Sequence, residues 1–432
     1  MMVYGRVKLG EVASIRGGKR LPAGKDFTTT ETAHPYIRAR DIGGGKVEVN
    51  DPVFLDEGTA QKLARYTVNK GDVCLTIVGA NVGEMGVVPL HLDGANLTEN
   101  AVKIVTNGKA NQAFLKYALL SDDAMAQMKV LAGGAAQPKL GIYKIETIEF
   151  PCPPLPLQHR IAGILSAYDE LIENNQRRIR ILEDMARSLY REWFVHFRYP
   201  GAPLPSPFGR GAGGEGALLT DSTLGPIPQG WEVKKLGELT SFLSRGLSPS
   251  YDDDGVSLVI NQKCIRDQRL NLGPARRQKK PIPEDKQVRF GDVLINSTGV
   301  GTLGRVAQVY SNLEQCTVDT HVTIARPSDS TNLDFFGCAL RNQQENFERL
   351  GVGATGQTEL GRAVIGHVEL VIPPNSLQAH FGALARPILA AATTLSNQNE
   401  NLRRTRDLLL PRLLSGQIDI KTTETLIEEA IA

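Results

Sequence analysis

The chain has 432 residues, enough for more than one domain, and its 41% hydrophobic and 22% charged content is ordinary for a soluble globular protein. A net charge of +2 means that any nucleic-acid surface must be a local patch. The five cysteines are scattered without a Cys-x-x-Cys pair, which argues against a zinc site or a disulfide framework and suits a reducing cytoplasm. No run reaches the ~18 apolar residues of a membrane span, and the N-terminus has no signal-peptide core.

Short strands and loops are predicted for the first part of the chain, residues 1–152. The apolar runs 73–78 and 102–105 predict buried strands, and residues 111–131 predict one helix packed on them. Closely spaced prolines predict extended backbone from Ile148 to Pro156. Positive φ is expected at the turn glycines, which are Gly43, Gly44, Gly45, Gly79, Gly83, Gly86, Gly133 and Gly134.

A long helix is predicted next, within residues 153–199. Its apolar residues recur in alternating steps of four and three, the spacing of a helix that packs along a narrow seam against another helix. At about 1.5 Å per residue the helix would be roughly 60 Å long. One seam position, Asn175, is polar, and a buried asparagine there would fix the register. The seam residues are Ile161, Leu165, Tyr168, Ile172, Asn175, Ile179, Leu182, Leu189 and Trp193.

Residues 200–225 are rich in proline and glycine and predict a flexible linker. The sequence Gly211–Gly216 matches the G-x-G-x-x-G pattern of dinucleotide sites, but it follows a proline-rich stretch and does not join a strand to a helix. We therefore interpret it as linker. A second globular part is predicted over residues 226–372, a second long helix over 373–420, and a C-terminal tail over 421–432.

The second half of the chain repeats the first at an offset of 220 residues. Leu157-Gln158 falls on Leu377-Gln378, and Gly71-Asp72-Val73 falls on Gly291-Asp292-Val293. The register slips near Gly83, which falls on Leu303. A fixed offset over about a hundred residues indicates an internal duplication. The seam residues of the second helix are Phe381, Ile388, Leu395, Asn399, Leu402, Leu409 and Leu413; because Pro387 and Pro411 lie inside this helix, a bend or break is expected there.

Motifs for catalysis are missing from the sequence. A methyltransferase acting on an exocyclic amine would need an Asn/Asp-Pro-Pro-aromatic loop, and Pro373-Pro374-Asn375 has the wrong order and no aromatic residue. The seven histidines form no metal-ligand spacing and no triad, and the carboxylates show no paired motif. We therefore predict a chain with no catalytic centre and no metal site.

Basic residues cluster at predicted loops in both halves. Lysine and arginine on such loops suit phosphate contact, and arginine, asparagine or glutamine can read base edges. A solvated loop is the competing interpretation for each single residue. Gln137 and Gln357 occupy the same position in both copies, which favours support of the fold over sequence reading. The candidate DNA-binding residues are Arg16, Lys19, Arg20, Arg38, Arg40, Lys46, Lys139, Arg245, Lys263, Arg266, Arg276, Arg277, Lys279, Lys280, Arg305 and Arg362.

Several motifs resemble the DNA-specificity subunit of type I restriction–modification enzymes. Pro154-Leu-Pro-Leu-Gln158-His-Arg-Ile161 resembles the entry to that family's first long helix, and Trp193-Phe-Val-His-Phe197 resembles its exit. Pro228-Gln-Gly-Trp231 resembles the start of a target-recognition domain, and Leu409–Gly416 resembles the end of the second helix. The resemblance implies an α+β fold with two similar α/β target-recognition domains, separated by two long helices that form an antiparallel coiled coil, and an internal pseudo-twofold repeat.

The resemblance also implies a function and a set of partners. The chain would read a bipartite, asymmetric site in double-stranded DNA and hold two modification subunits around the seam residues, with restriction subunits joining to cut unmethylated foreign DNA. It would carry no cofactor, since S-adenosylmethionine belongs to the modification subunit and ATP and Mg to the restriction subunit. The expected location is cytoplasmic, without a membrane partner. Two alternatives stay open: a scaffold that only holds proteins together, and a standalone methyltransferase–nuclease, which the missing motifs disfavour.

Overall fold

The computed structural model of the chain describes residues 4–133, 138–201, 219–352 and 358–418. Its strands are β1 Arg6–Lys8, β2 Ala13–Gly17, β3 Tyr36–Ile37, β4 Ile42–Gly43, β5 Gly45–Val47, β6 Val73–Thr76, β7 Met85–Val87, β8 Asn96–Leu97, β9 Ala101–Thr106, β10 Glu149–Pro151, β11 Leu219–Thr220, β12 Ile227–Pro228, β13 Glu232–Lys235, β14 Thr240–Arg245, β15 Ser257–Ile260, β16 Ile265–Arg266, β17 Arg269–Leu270, β18 Arg276–Gln278, β19 Val293–Asn296, β20 Val306–Gln308, β21 Cys316–Val318, β22 Val322–Pro327 and β23 Glu369–Ile372. Its helices are α1 Leu9–Val12, α2 Glu57–Lys62, α3 Gln112–Leu119, α4 Asp122–Ala132, α5 Ile142–Ile145, α6 Leu155–Phe194, α7 Leu333–Asn342, α8 Gln344–Arg349, α9 Arg362–Gly366 and α10 Asn375–Leu414.

The chain divides into two compact units, and each long helix contributes one part to each unit. Unit 1 contains the residues up to Glu173 together with those from Asn399 onward, and unit 2 contains Asn174–Gln398. Unit 1 therefore holds the first globular part, the start of α6 and the end of α10. Unit 2 holds the second globular part, the end of α6 and the start of α10.

A six-stranded sheet with the order β2-β9-β6-β7-β5-β4 forms the centre of unit 1. Every residue of β6 is buried, as the apolar run predicted, and β9 covers the second predicted strand. The helix predicted over 111–131 is wrong in one respect, because it is two helices, α3 and α4. Asn111 and Ser121 each cap one of them by accepting a backbone N–H, so the chain breaks between them at Leu120.

The long helices pack antiparallel to each other within unit 1. Ile161 and Leu165 of α6 and Leu413 and Leu414 of α10 are all buried in the core that also covers the six-stranded sheet. Toward the middle of the helices, Asn399 donates an Nδ2 hydrogen bond to the carbonyl of Ile172 (3.2 Å). The buried seam of unit 1 is thus continuous with a domain core instead of being a free two-helix interface.

Unit 2 repeats this arrangement on a smaller central sheet. Its four strands run in the order β14-β22-β19-β20, and a separate three-stranded sheet has the order β18-β15-β21. The antiparallel helix pair is again buried, with Ile179 against Ala392 and Leu395. Nearer the sheet, an aromatic cluster joins both long helices to α7; its rings are those of Tyr190, Trp193, Phe194, Phe335 and Phe381.

The expected break of the second long helix is wrong, because α10 continues through Pro387 and Pro411. Each proline removes one backbone hydrogen bond and should disfavour the helix by about 3 kcal/mol. Both rings are on the exposed face, while the buried residues Ala385 and Leu389 flank the first proline. Each buried leucine-sized side chain contributes roughly 1.5–3 kcal/mol. Together, the large buried side chains of α10 outweigh the cost of the two prolines; they are Phe381, Leu389, Leu395, Leu413 and Leu414.

The duplication predicted from the sequence is seen in matched elements. Helices α6 and α10 have 40 residues each and begin 220 residues apart. A buried glutamine repeats at the start of each helix. Gln158 accepts the N–H of Asn111 (2.8 Å) and donates to the carbonyl of Pro153 (2.7 Å). Gln378 makes the equivalent bonds to Asn332 (3.1 Å) and Pro373 (2.9 Å), so it clamps its helix start in the same way.

Other local predictions divide between right and wrong. Positive φ is confirmed at Gly44, Gly45, Gly79, Gly83 and Gly133 and is wrong at Gly43 and Gly86. Gly86 is required for another reason, since a Cβ there would lie 2.1 Å from the carbonyl oxygen of Lys46.

The extended stretch predicted from Ile148 to Pro156 ends before Pro156, which lies in the first turn of α6, where proline is tolerated. The final part of the linker forms a hairpin, β11 with β12. Gly134, Gln137, residues 202–218, Gln357 and the tail 421–432 lie outside the described residues.

Candidate nucleic-acid interface

Three strands of the unit 1 sheet finish or begin at the same end. Gly17 at the end of β2 pairs with Val102, and Thr76 at the end of β6 pairs with Ala101, the first residue of β9. The loops that follow β2 and β6 therefore lie beside the loop that precedes β9. We call this edge of the sheet the loop end of unit 1. Loops gathered on a rigid sheet are a common location for binding residues.

Several predicted cations lie at the loop end of unit 1. Lys19 and Arg20 follow β2 and are exposed; the Lys19 N–H donates to the carbonyl of Leu97 (2.9 Å), which fixes the turn. Arg20 lies 3.4 Å from the carboxylate of Glu99. Lys139 is exposed and bridges to Val78, just after β6. Among the described residues, Lys139 makes no ion pair, so its full charge is available to a phosphate.

Arg38 and Arg40 flank the same region but differ in their freedom. Arg38 is only 18% exposed, and its Nε lies 3.2 Å from the buried carboxylate of Asp41. It therefore supports a turn and is a poor candidate for phosphate contact. Arg40 is 59% exposed and pairs at 2.6 Å with Asp51, itself 72% exposed. Exposed pairs of this kind are worth only about 0–1 kcal/mol, so Arg40 could exchange its partner for a phosphate.

One predicted residue of unit 1, Lys46, lies away from the loop end. Lys46 on β5 pairs with Val87, and Val87 pairs with Val73 at the start of β6, which is the opposite end of the sheet. Lys46 instead lines a cavity of about 440 Å³ next to Lys116, Asp169 and Arg406. Arg16 is the exposed penultimate residue of β2 and precedes Gly17 at the loop end. Sequence proximity groups Lys46 with Arg38 and Arg40, but the strand pairing separates Lys46 from the loop end.

Unit 2 has a matching loop end, with its own cations. Arg245 is the last residue of β14, and Asn296 at the end of β19 pairs with Val322, the first residue of β22. Arg245 pairs at 2.7 Å with Glu359, and Arg305 donates to the carbonyl of Gly301 (2.7 Å). Lys263 and Arg362 are exposed. Neither makes an ion pair within the described part of the chain.

A buried carboxylate supports the loop before β22. Asp319 accepts the N–H of His321 (2.9 Å), and the His321 ring lies 2.7 Å from the hydroxyl of Thr298. Burial raises the pKa of Asp319 above its ordinary value, although the hydrogen bond from His321 opposes this shift. These contacts hold the two neighbouring loops of unit 2 in one fixed arrangement.

The basic segment Arg276–Lys280, the densest in the sequence, lies on and just after the edge strand β18. Loop 248–255 covers part of it. Lys279 pairs with Asp252 at 2.6 Å, and Arg277 and Lys280 donate to the carbonyls of Gly255 and Ser248. The Arg276 guanidinium stacks 3.8 Å from the centre of the Tyr251 ring. All four cations of the segment are exposed, but the patch is less positive than its sequence suggests because Asp252 pairs with Lys279. Arg266, in the hairpin of β16 and β17, is 75% exposed beside Asp267.

Each predicted seam residue is buried or half-buried in its own unit. Several buried residues of the long helices were missed, because they face a domain core instead of the opposite helix; these are Ala162, Ile164, Tyr190, Phe194, Leu389 and Leu414. Two large apolar side chains on α6, Ile181 and Met185, are 60% and 51% exposed. A subunit interface on these helices stays a prediction.

The described ranges contain neither a metal-binding cluster of side chains nor a membrane-spanning helix. No group of three or more histidine, cysteine, aspartate or glutamate side chains is placed there to hold a metal ion. None of the helices in those ranges combines the length and apolar character needed to span a membrane.

Comparison with known proteins gives a consistent result. Residues 4–184 match the sequence profile of the type I restriction modification DNA specificity domain. The chain is 24% identical to the type I restriction enzyme MjaIX specificity subunit of Methanocaldococcus jannaschii, over 96% of this chain and 93% of that protein. It is 22% identical to the HindI specificity subunit of Haemophilus influenzae, over 82% and 88%.

A solved structure shares the fold. The type I restriction-modification system S subunit from M. genitalium aligns with a TM-score of 0.60 at 16% identity, covering 95% of this chain and 96% of that one. The predicted fold class, two similar mixed domains with two long helices, is confirmed.

Proposed function

We propose that the chain is the DNA specificity subunit of a type I restriction–modification complex, which selects the DNA sequence and leaves the chemistry to its partners. The similarity to two such subunits over most of the chain supports this proposal. The observation that carries this proposal is the repeated loop end. Each unit presents exposed cations on loops at one edge of a central sheet, and the residues there differ between the copies. The exposed cations are Arg20 and Lys139 in unit 1 and Lys263 and Arg362 in unit 2. Two non-identical readers in one chain fit a bipartite, asymmetric DNA site.

The partners follow from what the two copies have in common. The clamps of Gln158 and Gln378 and the paired long helices are nearly the same in both units, so a partner that binds one repeated surface can bind the other. We therefore propose two modification subunits for each chain, with restriction subunits added to the complex. In this proposal S-adenosylmethionine is bound by the modification subunit, and ATP and Mg by the restriction subunit.

The test is a map of methylated adenines in a bacterial host that lacks its own restriction systems. The host would carry this chain with the modification subunit of the same system. A split, asymmetric motif with a fixed gap, which disappears when this chain is deleted, is the expected result. A purified complex that leaves no methylated motif would overturn the proposed role.

Salt dependence separates sequence recognition from a purely scaffolding role. Phosphate contacts make log K fall by about 0.9 per contact for each unit of log salt concentration. A scaffold that touches only proteins has no reason to show this slope. We expect several contacts from the two loop ends together, measured as binding of the assembled complex to a DNA duplex across a salt series.

A further inference from the structure

One loop at each loop end projects side chains that no element of its own unit covers. In unit 1 it joins β6 to β7 and runs between Gly79 and Gly83. In unit 2 it joins β19 to β20 and runs between Gly299 and Gly304. The four glycines all have positive φ, between 78° and 106°. We call these the tip loops.

The frame of the two tip loops is the same. The N–H of Gly83 donates to the carbonyl of Thr76 (3.0 Å), and the N–H of Gly304 donates to the carbonyl of Asn296 (2.8 Å). Thr76 and Asn296 are equivalent positions, 220 residues apart. The counterpart of Gly83 is therefore Gly304, which explains the slip in the sequence repeat as one extra residue in the second loop.

An apolar anchor holds each tip loop in place. Val82 packs on the core of unit 1, and Leu303 packs on the core of unit 2. A neighbouring segment supports each loop from the other side: Lys139 bridges to Val78, and Glu359 bridges to Thr298. Both tips are therefore rigidly mounted, which is a requirement for discriminating between base pairs.

The residues displayed at the two tips are chemically different. The first tip shows Ala80 and Asn81, both exposed, and the Asn81 side chain makes no hydrogen bond to any described residue. The second tip shows Val300, which is 83% exposed, followed by Gly301. Thr302 is half-buried, with its hydroxyl 3.4 Å from the carbonyl oxygen of Thr298. An exposed valine has no role in packing, and an unpaired amide has no role in the turn.

We infer that the tip loops read base edges in the DNA major groove, with Asn81 contacting one half-site and Val300 the other. This inference rests on the proposed function. The Asn81 amide offers a donor and an acceptor, the pair that matches N7 and N6 of adenine. Val300 offers only a methyl surface, which matches the 5-methyl group of thymine. Lys139 and Arg305 lie next to the loops and supply positive charge for the flanking phosphates.

The test uses the methylation map of the complete complex with single substitutions. For Asn81→Ala we expect a relaxed preference at one base pair of one half-site, by roughly ten- to hundredfold, while the other half-site is unchanged. Val300→Ser should relax one base pair of the opposite half-site. Val130→Ser is the matched control, because Val130 is 80% exposed on helix α4 and lies outside both loop ends.

The outcomes separate this inference from the proposed function. If the unsubstituted complex methylates no motif, the proposed function fails. If it methylates a split motif that both substitutions leave unchanged, the tip loops do not read bases. A loss spread equally over both half-sites would also overturn the inference, because it would indicate weaker assembly instead of lost reading. Co-purification of each variant with the modification subunit verifies that assembly is intact.

Discussion

A carboxylate in unit 1 ties three helices together, and its removal should open that unit. Asp169 of α6 accepts Lys116 Nζ at 2.5 Å, Arg406 Nη1 at 2.6 Å and the Tyr117 hydroxyl at 2.7 Å. Lys116 and Tyr117 lie on α3, and Arg406 lies on α10. We call these four side chains the Asp169 network. Asp169→Asn keeps the shape of the side chain but removes its charge and turns an NH₂ group toward one of the two cations.

The expected loss of stability follows from the burial of the Asp169 network. Removing one partner of a fully buried ion pair costs about 3–5 kcal/mol, because the other charge remains without compensation. The side chains of Asp169 and Lys116 are each 19% exposed, and that of Arg406 is 28% exposed. Water therefore screens part of the interaction. We expect Asp169→Asn to lower the free energy of opening unit 1 by about 2–3 kcal/mol. This corresponds to roughly a 30- to 150-fold larger opening equilibrium.

The pH dependence has a defined sign. Burial raises the pKa of Asp169, but the Lys116 charge and the hydrogen bonds outweigh it, so the pKa in the folded chain is below its ordinary value of 3.8. A lowered folded pKa adds stability at pH values above the unfolded pKa, and this stability is lost as the pH falls through the folded pKa. The difference between Asp169→Asn and the unsubstituted chain should therefore be constant from pH 7 to about 5 and shrink in stronger acid.

Hydrogen exchange of the full chain measures this opening locally. The amides of α3 and of the last turns of α10 should exchange faster in Asp169→Asn by the factor given above. Asp407→Asn is the control, because Asp407 is 63% exposed and pairs only with its neighbour Arg406 among the described residues; it should change exchange by less than about threefold. Equal protection of α10 in Asp169→Asn and in the unsubstituted chain at pH 7 would refute the reasoning.

Three further predictions concern the basic segment Arg276–Lys280, the seam between the long helices, and the glutamine that holds the start of α10. Arg276→Ala with Arg277→Ala should weaken DNA binding of the assembled complex and reduce its salt slope by up to about 0.9 per lost contact; unchanged affinity at low salt would place this patch off the DNA. Leu182→Asp puts a charge beside the buried Ile179 cluster and should lower the unfolding midpoint and loosen assembly; normal assembly would mean that the seam is misassigned. Gln378→Leu leaves buried backbone groups unpaired and should cost about 1–3 kcal/mol in denaturant unfolding; an unchanged midpoint would show that water replaces the amide.

The long helices were the part of the fold that the sequence specified best. A 3.5-residue apolar spacing is a local property, and Ile161, Ile172 and Ile179 are buried as that spacing requires. The break at Pro387 was mispredicted because the packing that overrides the proline comes from residues far away in the sequence. The same reason hides the Asp169 network, whose members lie at positions 116, 117, 169 and 406.

The candidate site was predicted in its residue types but not in its grouping. Arginine and lysine next to glycine marked the loops correctly at Lys19, Arg20 and Arg305. The strand order then decided which of them meet, and it placed Lys46 at the opposite end of the sheet. Asp41, three residues along the chain, pairs with Arg38, and Asp252 pairs with Lys279. The tip loops had a usable signal, since two copies with the same glycine frame carry different residues between the glycines.

The division of the chain into units has a consequence for its synthesis. Unit 1 needs Leu413 and Leu414 to complete a core that begins with Leu9, so it stays unfinished until α10 has been translated. At about 5–20 residues per second, the stretch between Glu173 and Asn399 takes roughly 10–45 s to emerge. During that time the apolar face of α6 around Leu165 and Tyr168 lacks its final cover. A nascent chain in this state is a natural client for chaperones, and unit 2, contiguous in sequence, is the part that can fold first.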